Sequence, residues 1–163
     1  MAANGRRRRD ALTTIRVGDE RDREFVRDLG TRVAMTSASP FRQVVGSLVV
    51  FAYDKLLEFI YAQSHVTLIA DDGGKQVGFL LLLDMLPDEV SMSPQAFIAY
   101  MAVEPDHQRR GIGRALLNAA EGIARERGLP TIAMMVTEGN DPALELYNSS
   151  GYRTERRLLC KPL

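Results

Sequence analysis

The amino-acid sequence predicts a mixed α/β (α+β) fold with about six strands and four helices, in the order β-α-α-β-β-β-α-β-α-β. The chain has 163 residues, a length typical of a single domain. Hydrophobic residues make up 45% of it and charged residues 26%, which is ordinary for a globular protein. The spacing of apolar residues alternates between helical and strand periods, and these changes locate the elements.

One strand and two helices are predicted first. Residues 13–17 are rich in Thr and Ile and precede a glycine, which indicates a short strand. Asp19 can cap a helix of about four turns with one apolar face. Ser39 and Pro40 signal a second helix, because serine caps helices and proline is favoured at their first position. This helix, 39–63, carries a wide apolar stripe, so we expect it to be largely buried or to contact a partner, as in a homodimer.

Three strands are predicted in the middle of the chain. Residues 66–70 and 76–83 are apolar, and the Asp and Gly residues between them indicate a hairpin turn. Residues 76–83 are so uniformly apolar that this strand should be central in the sheet. A loop with acids and prolines, 84–95, leads to a third strand at 96–103.

Helices and strands alternate in the last part of the chain. A helix is predicted at 113–127, where Gly and Pro follow, and a strand at 131–136. A short helix at 142–149 has Asp141 as its predicted cap. Residues 152–160 are predicted to return as a strand or hairpin.

The charge distribution bears on the kind of partner. The formal net charge is zero, so we expect neither a nucleic-acid partner nor a membrane partner. Residues 1–10 contain four adjacent arginines and are predicted to form a disordered basic tail.

The cysteine and histidine content bears on compartment and metal binding. Cys160 is the single cysteine, and we expect it to be a small apolar residue in the last strand. One cysteine and no signal-peptide pattern favour a cytoplasmic location. Two histidines, His65 and His107, are too few for a metal site without carboxylates at ligand spacing, so we expect no metal.

A turn rich in glycine and arginine joins the strand at 96–103 to the helix that follows. The first amides of a helix have no internal partner and lie at the positive end of its dipole. Gly111 and Gly113 lack side chains, so a phosphate can approach the backbone closely. Positive charge is added by Arg109, Arg110 and Arg114. The segment therefore predicts an anion-binding site.

Several phosphate ligands could fit such a turn. The Gly-x-x-x-x-Gly-Lys-Ser/Thr pattern of nucleoside-triphosphate loops is absent. A dinucleotide-binding turn would need a third glycine where Leu116 stands. A purely structural turn with incidental arginines is the other alternative.

Two runs of residues resemble the GNAT superfamily of N-acetyltransferases. Residues 108–113, Gln-Arg-Arg-Gly-Ile-Gly, match its Gln/Arg-x-x-Gly-x-Gly/Ala signature. Asn140, Ala143, Leu146-Tyr147 and Gly151-Tyr152 resemble its Asn-x-x-Ala-x-x-Leu-Tyr-x-x-x-Gly-Phe/Tyr ending. The motifs cover residues 96–153, and element order extends the likeness to a single domain, 11–163. The resemblance implies a mixed, mostly antiparallel central sheet of about six to seven strands flanked by about four helices.

The resemblance also implies an activity, the transfer of an acetyl group from acetyl-CoA to a primary amine by direct attack. The turn would bind the cofactor pyrophosphate, and residues 101–103 would pair with pantetheine like an added strand. A bulge near 100–102 would open a gap beside the strand at 131–136, and an N–H near Val103 would polarise the thioester carbonyl. The implied cofactor-binding residues are Met101, Ala102, Val103, Gln108, Arg109, Arg110, Gly111, Ile112, Gly113, Arg114, Asn140, Ala143 and Tyr147.

Tyr147 is the implied catalytic residue. Its hydroxyl would protonate the departing thiolate as a general acid. Without the other motifs, Tyr147 would be interpreted as a core aromatic on a short helix. A non-catalytic acyl-CoA-binding sensor or partner-binding module is the alternative function, and Asn140 together with Tyr147 favours the enzyme.

The general base and the acceptor stay open. Two positions where relatives carry a glutamate are Phe97 and Met135 here. The remaining candidates for the base, acting directly or through water, are Glu104, Glu138, Asp84 and Glu89. The two N-terminal helices and the 84–95 loop would shape the acceptor site. Acids of that loop, Asp84, Asp88 and Glu89, either attract a cationic amine or are ordinary solvated side chains.

Overall fold

The computed structural model describes residues 13–163, and the predicted tail at 1–10 lies outside them. The described strands form one sheet of five in the order β1-β2-β3-β4-β5. They are β1 (Thr14–Val17), β2 (His65–Asp72), β3 (Lys75–Leu83), β4 (Ala96–Val103) and β5 (Ile132–Met134). The helices are α1 (Arg23–Thr36), α2 (Gly46–Tyr61), α3 (Ile112–Glu126) and α4 (Asp141–Ser149). Short 3-10 turns occupy Glu20–Asp22 and Pro105–His107.

The sheet is mostly antiparallel. Strands β1 to β4 pair antiparallel with their neighbours, and β5 pairs parallel with β4 after the α3 crossover. This arrangement confirms the predicted mixed fold with four helices. None of the helices in the described range is long and apolar enough to cross a bilayer.

Strand β3 lies at the centre of two apolar layers. Phe79 and Leu81 are buried on the face covered by α1 and α2. Leu80 and Leu82 are buried on the opposite face, in the cluster formed with α3. Both faces of β3 are therefore dry, as its uniformly apolar sequence predicts.

A bulge interrupts β4 where it passes β3. Leu81 pairs with Tyr100, but the next residue, Leu82, pairs with Ile98, so Ala99 is an extra residue. Ala99 and Tyr100 consequently pack on the same face, towards α1 and α2. Pairing between β4 and β5 ends at Ile98, so within the described chain the outer edge of β4 has no strand partner beyond the bulge.

The predicted last strand is wrong. Residues 152–160 contain no regular secondary structure, so the described sheet has five strands and not six to seven. The segment has a run of charged side chains before Leu158 and Leu159, so no alternating apolar face is available to bury. Cys160 is exposed and does not fill a strand position.

The start of the second helix was also predicted wrongly. Residues Ser39 to Arg42 form a turn, in which the amide of Arg42 donates to the Ser39 carbonyl at 2.9 Å. The helix begins only at Gly46, because Val45 is still extended at φ −113° and ψ 113°. One face of α2 is buried, and an opposite face exposes Leu48, Phe51 and Phe59.

Candidate functional site

The turn between β4 and α3 is held by hydrogen bonds of both the backbone and the side chain of Gln108. The amide of Gln108 donates to the Pro105 carbonyl at 3.2 Å, and Gln108 Nε2 donates to the Val103 carbonyl at 3.2 Å. Arg109 and Gly111 both have positive φ, at 61° and 83°. Gly111 is the residue before α3, and its carbonyl accepts the first helical hydrogen bond, from Ala115 at 3.0 Å.

The amides of residues 109–114 are open. Within the described part of the chain, no backbone or side-chain oxygen accepts from them, and no side chain caps α3. Consecutive unpaired N–H groups at the positive end of a helix make an anion-binding concavity. The arrangement can hold a phosphate without any metal ion.

The two glycines of the turn have different roles. A Cβ at Gly111 would meet nothing within 4 Å, but the backbone there is left-handed, which favours glycine. A Cβ at Gly113 would lie 2.9 Å from Leu146 Cδ2. A side chain at Gly113 would therefore require Leu146 to shift, so glycine here allows α4 to approach α3 closely, in addition to the access expected from the sequence.

Three arginines surround the turn, and each has a protein partner. Arg109 pairs with Glu145 at 3.0 Å, and Arg110 with Asp72 at 3.0 Å. Arg114 donates to the carbonyl and hydroxyl oxygens of Ser149. The ion pairs are solvent-exposed and weak, so a phosphate can replace their acids.

Helix α4 brings the second motif beside the turn. Its cap is Asn140, whose Oδ1 accepts from the Ala143 amide at 3.4 Å, and not Asp141, which is already the first helical residue. Pro142, the second helical residue, has no amide to be capped, so the Asn140 side chain accepts from the third residue, Ala143. The Leu146 side chain packs beside Gly113, so α4 lies next to the start of α3.

The Tyr147 side chain lies in the partly buried layer on the α3 face of the sheet. Its ring packs edge-on against Tyr152, with centroids 6.1 Å apart. Burial raises the pKa of the Tyr147 phenol above its usual range. The hydroxyl is therefore protonated at neutral pH and can donate a proton or hydrogen bond.

The end of β4 lies directly before the turn. Ala102 is buried towards α1 and α2, and Met101 and Val103 pack towards α3. The bulge lies at Ala99, one residue before the 100–102 segment expected from the sequence. The structure thus brings together the strand end, the turn and α4.

The acids proposed as bases are mostly bound to arginines. Glu104 accepts from both terminal nitrogens of Arg32, at 3.1 and 2.8 Å. The buried carboxylate of Asp84 is paired with Arg127. Glu138 is exposed in the loop after β5.

The acids of the 84–95 loop are likewise engaged. Arg156 pairs with Asp88 and, at 2.9 Å, with Glu89. Hydrogen bonds from Ser91, followed by that of Arg156, hold the pKa of Asp88 well below its usual range. This loop consequently binds the C-terminal segment of the chain.

Sequence reasoning missed Tyr100 and Arg32. The Tyr100 hydroxyl donates to the Gly30 carbonyl at 3.3 Å, and burial raises its pKa to about 12. Its ring stacks with Phe79 under the bulge. The position of Tyr100 beside the motif was a usable signal, whereas no local pattern could pair Arg32 with Glu104. In the described part of the chain, no group of His, Cys, Asp and Glu is arranged to hold a metal ion.

Comparison with known sequences gives a consistent set of relatives. A mycothiol acetyltransferase of Clavibacter sepedonicus is 32% identical over 101 residues, which are 61% of this chain and 31% of that protein. A [ribosomal protein bS18]-alanine N-acetyltransferase of Escherichia coli (strain K12) is 40% identical over 58 residues, 36% of this chain and 39% of that protein. The matches therefore span less than half the length of either relative.

Comparison with solved structures gives the same fold. A putative acetyl transferase from Pyrococcus furiosus superposes with a TM-score of 0.81 at 25% identity, covering 93% of this chain and all of that one. An aminoglycoside N-acetyltransferase in complex with CoA superposes with a TM-score of 0.67 at 19% identity, covering 92% and 98%. The family model of the acetyltransferase (GNAT) family matches residues 28–152, a span that contains the bulged strand, the glycine turn and α4. The chain therefore belongs to the acetyltransferase (GNAT) family.

Proposed function

We propose that the protein transfers an acetyl group from acetyl-CoA to a primary amine of a small molecule, an amino acid or a peptide. The observation that carries this proposal is the placement of open amides at 109–114 beside the unpaired edge of β4. Such a site offers a phosphate cradle and a strand edge to the same extended ligand.

The cofactor would be held mainly by backbone groups. The turn amides would receive the pyrophosphate, and the exposed arginine pairs would exchange their acids for phosphate oxygens. Residues 101–103 would pair with the pantetheine amides as an added strand. Asn140 would offer its Nδ2 to pantetheine, because its Oδ1 already caps α4.

The reaction would take place in the gap opened by the bulge. A neutral amine attacks the thioester carbonyl carbon, the carbon–sulfur bond breaks, and the thiolate takes a proton from the Tyr147 hydroxyl. An amide near Val103 would stabilise the developing oxyanion. The amine proton would leave to water or to Glu138, because Glu104, Glu89 and Asp84 are bound to arginines.

Weak base assistance favours amines that are already partly neutral. An α-amine has a pKa of about 7.7–8.0 and a lysine side chain one of about 10.4, so α-amines supply far more free base at neutral pH. We therefore propose that α-amines are better acceptors than lysine side chains.

The test is a thiol-release assay with acetyl-CoA and a panel of small amines, amino acids and peptides, combined with calorimetric titration of CoA. Saturable thiol release with an acetylated amine as product is the expected result. Binding of CoA with no turnover on any amine would identify an acyl-CoA-binding module. Absence of CoA binding would contradict both functions.

We also propose a cytoplasmic location. The single cysteine is free and exposed, which suits a reducing compartment. Cell fractionation should recover the protein with cytoplasmic markers, and recovery in an extracellular fraction would contradict this proposal.

A further inference from the structure

The opening of the β4–β5 gap is bordered by two segments that touch each other. Tyr100, at the bulge, donates to the Gly30 carbonyl, so α1 runs along this part of β4. Further along, the hydroxyl of Thr137 donates to the Ser37 carbonyl at 3.2 Å. The segment after α1 and the loop after β5 therefore meet beside the gap, on the face away from α3.

These two segments present apolar side chains to solvent. The segment at the end of α1 and before α2 exposes Met35, Phe41, Val44 and Val45, and the loop after β5 exposes Met135 and Val136. We refer to Met35, Met135 and Val136, which flank the Ser37–Thr137 contact in the sequence, as the apolar rim. Met135 is 83% exposed and Met35 40% exposed, so both side chains have apolar surface available to a ligand.

The charges around the rim do not favour a polycation. Glu104, on the nearby end of β4, is neutralised by Arg32. Arg42 is exposed on the same segment as Phe41 and would repel a second positive charge on a ligand. Glu138 and Asp141, exposed just after Thr137, can attract the ammonium form of a single amine.

We propose that the acceptor is a primary amine carried on an apolar or aromatic body, which rests on the apolar rim while the amine enters the gap. This inference rests on the proposed acetyltransferase function and specifies its substrate class. Burial of the apolar body against the rim would make such amines better acceptors than amines that lack the apolar body.

The kinetic test compares three acceptors that share an α-amine and differ in side chain: phenylalaninamide, glycinamide and argininamide. We expect kcat/KM for phenylalaninamide to exceed the values for the other two by about tenfold or more. Turnover with argininamide preferred would overturn the substrate class and leave the acetyltransferase function standing. Absence of CoA binding and of turnover would instead remove the function on which the inference rests.

A pair of variants locates the selectivity. Met135→Gln should lower kcat/KM for phenylalaninamide about tenfold and so raise the value for argininamide relative to it, without adding a carboxylate near the reacting amine. Val17→Gln is the control, because Val17 is an exposed apolar residue at the opposite edge of the sheet. An equal effect of both substitutions, or of neither, would overturn the assignment to the rim.

A binding measurement gives a readout that does not depend on turnover. The full chain with isotope-labelled methionine methyl groups is saturated with CoA and titrated with phenylalaninamide. Resonances of Met35 and Met135 should shift, and those of Met85 and Met92 in the 84–95 loop should not. Shifts confined to the loop methionines, or no shift in a CoA-saturated protein, would overturn the proposal.

Discussion

In the proposed reaction, the partly buried Tyr147 hydroxyl donates a proton to the departing thiolate. Tyr147→Phe keeps the ring and its contact with Tyr152, so packing should be preserved. We expect kcat to fall about 100- to 10,000-fold, as for loss of a general acid, with the CoA dissociation constant almost unchanged. Turnover at the parent rate would assign the protonation to water or to another group.

Gly111 allows a test that separates backbone strain from ligand binding. Alanine at a left-handed position costs about 1 kcal/mol of stability, and Gly111 and Gly128 both have positive φ with open space at Cβ. We expect Gly111→Ala and Gly128→Ala to lose similar stability in thermal melts. Only Gly111→Ala should weaken CoA binding, and equal CoA affinity in both variants would contradict the anion site at the turn.

The glycine turn illustrates what the sequence could predict about single residues. Glycines, arginines and a following helix are local features, so the turn and the open helix start were predictable from residues 108–114, and the anion site inferred from them stays a prediction. The contact of Gly113 with Leu146 was not predictable, because it depends on how α3 and α4 pack. For the same reason the expected base candidates could not be separated before their arginine partners were known.

Among the secondary-structure elements, two strands and a turn are joined by the buried carboxylate of Asp22. Asp22 accepts from Arg16 on β1, at 2.8 and 2.7 Å, and from the Asp19 amide at 2.8 Å. Gln76 on β3 donates to it as well. These bonds, led by those of Arg16, hold the pKa of Asp22 below its usual range.

The stability contributed by Asp22 should depend on pH. Because the pKa of Asp22 is lowered in the folded state, its contribution is fully present above the unfolded-state pKa of about 3.9 and is lost as pH falls through the folded-state pKa. Asp22→Asn should lower the free energy of unfolding by about 2 kcal/mol at neutral pH, because the Arg16 pair is only partly buried. Denaturant unfolding from neutral pH to about pH 3 should show the difference shrinking, and a constant difference would contradict this role.

Element boundaries were predictable where apolar periodicity and breakers agree. Strand β4 was predicted at 96–103 and is found there, and α3 differs by one residue at each end. The prediction failed where a local signal had no tertiary support. Ser39 and Pro40 belong to a turn and do not begin a helix. The charged run after Tyr152 does not form a strand.

At the scale of the whole molecule, the exposed face of α2 bears on whether the chain forms a dimer. Leu48, Phe51 and Phe59 lie on one side of the helix and are exposed in the isolated chain. We propose that this face forms a homodimer contact. Sedimentation equilibrium should show a dimer that Phe51→Glu converts to a monomer, and a monomeric parent at high concentration would exclude the contact.

Ligand binding should couple the separate parts of the proposed site into one more stable unit. The turn, the end of β4 and α4 are distant in sequence, and each contributes groups expected to contact acetyl-CoA only in the folded chain. A ligand that binds only the folded state at 100 times its dissociation constant adds about 2.7 kcal/mol. For a chain of this length, that increment corresponds to a rise in the melting temperature of about 5–10 °C.

The coupling can be tested with differential scanning fluorimetry over a range of acetyl-CoA concentrations. The melting temperature should rise with concentration, and added salt should reduce the rise because arginines and amides bind the phosphates through charge. Gly111→Ala should give a smaller rise than Gly128→Ala at each concentration, since only the former distorts the cradle. An unchanged melting temperature at millimolar acetyl-CoA would contradict the cofactor site itself.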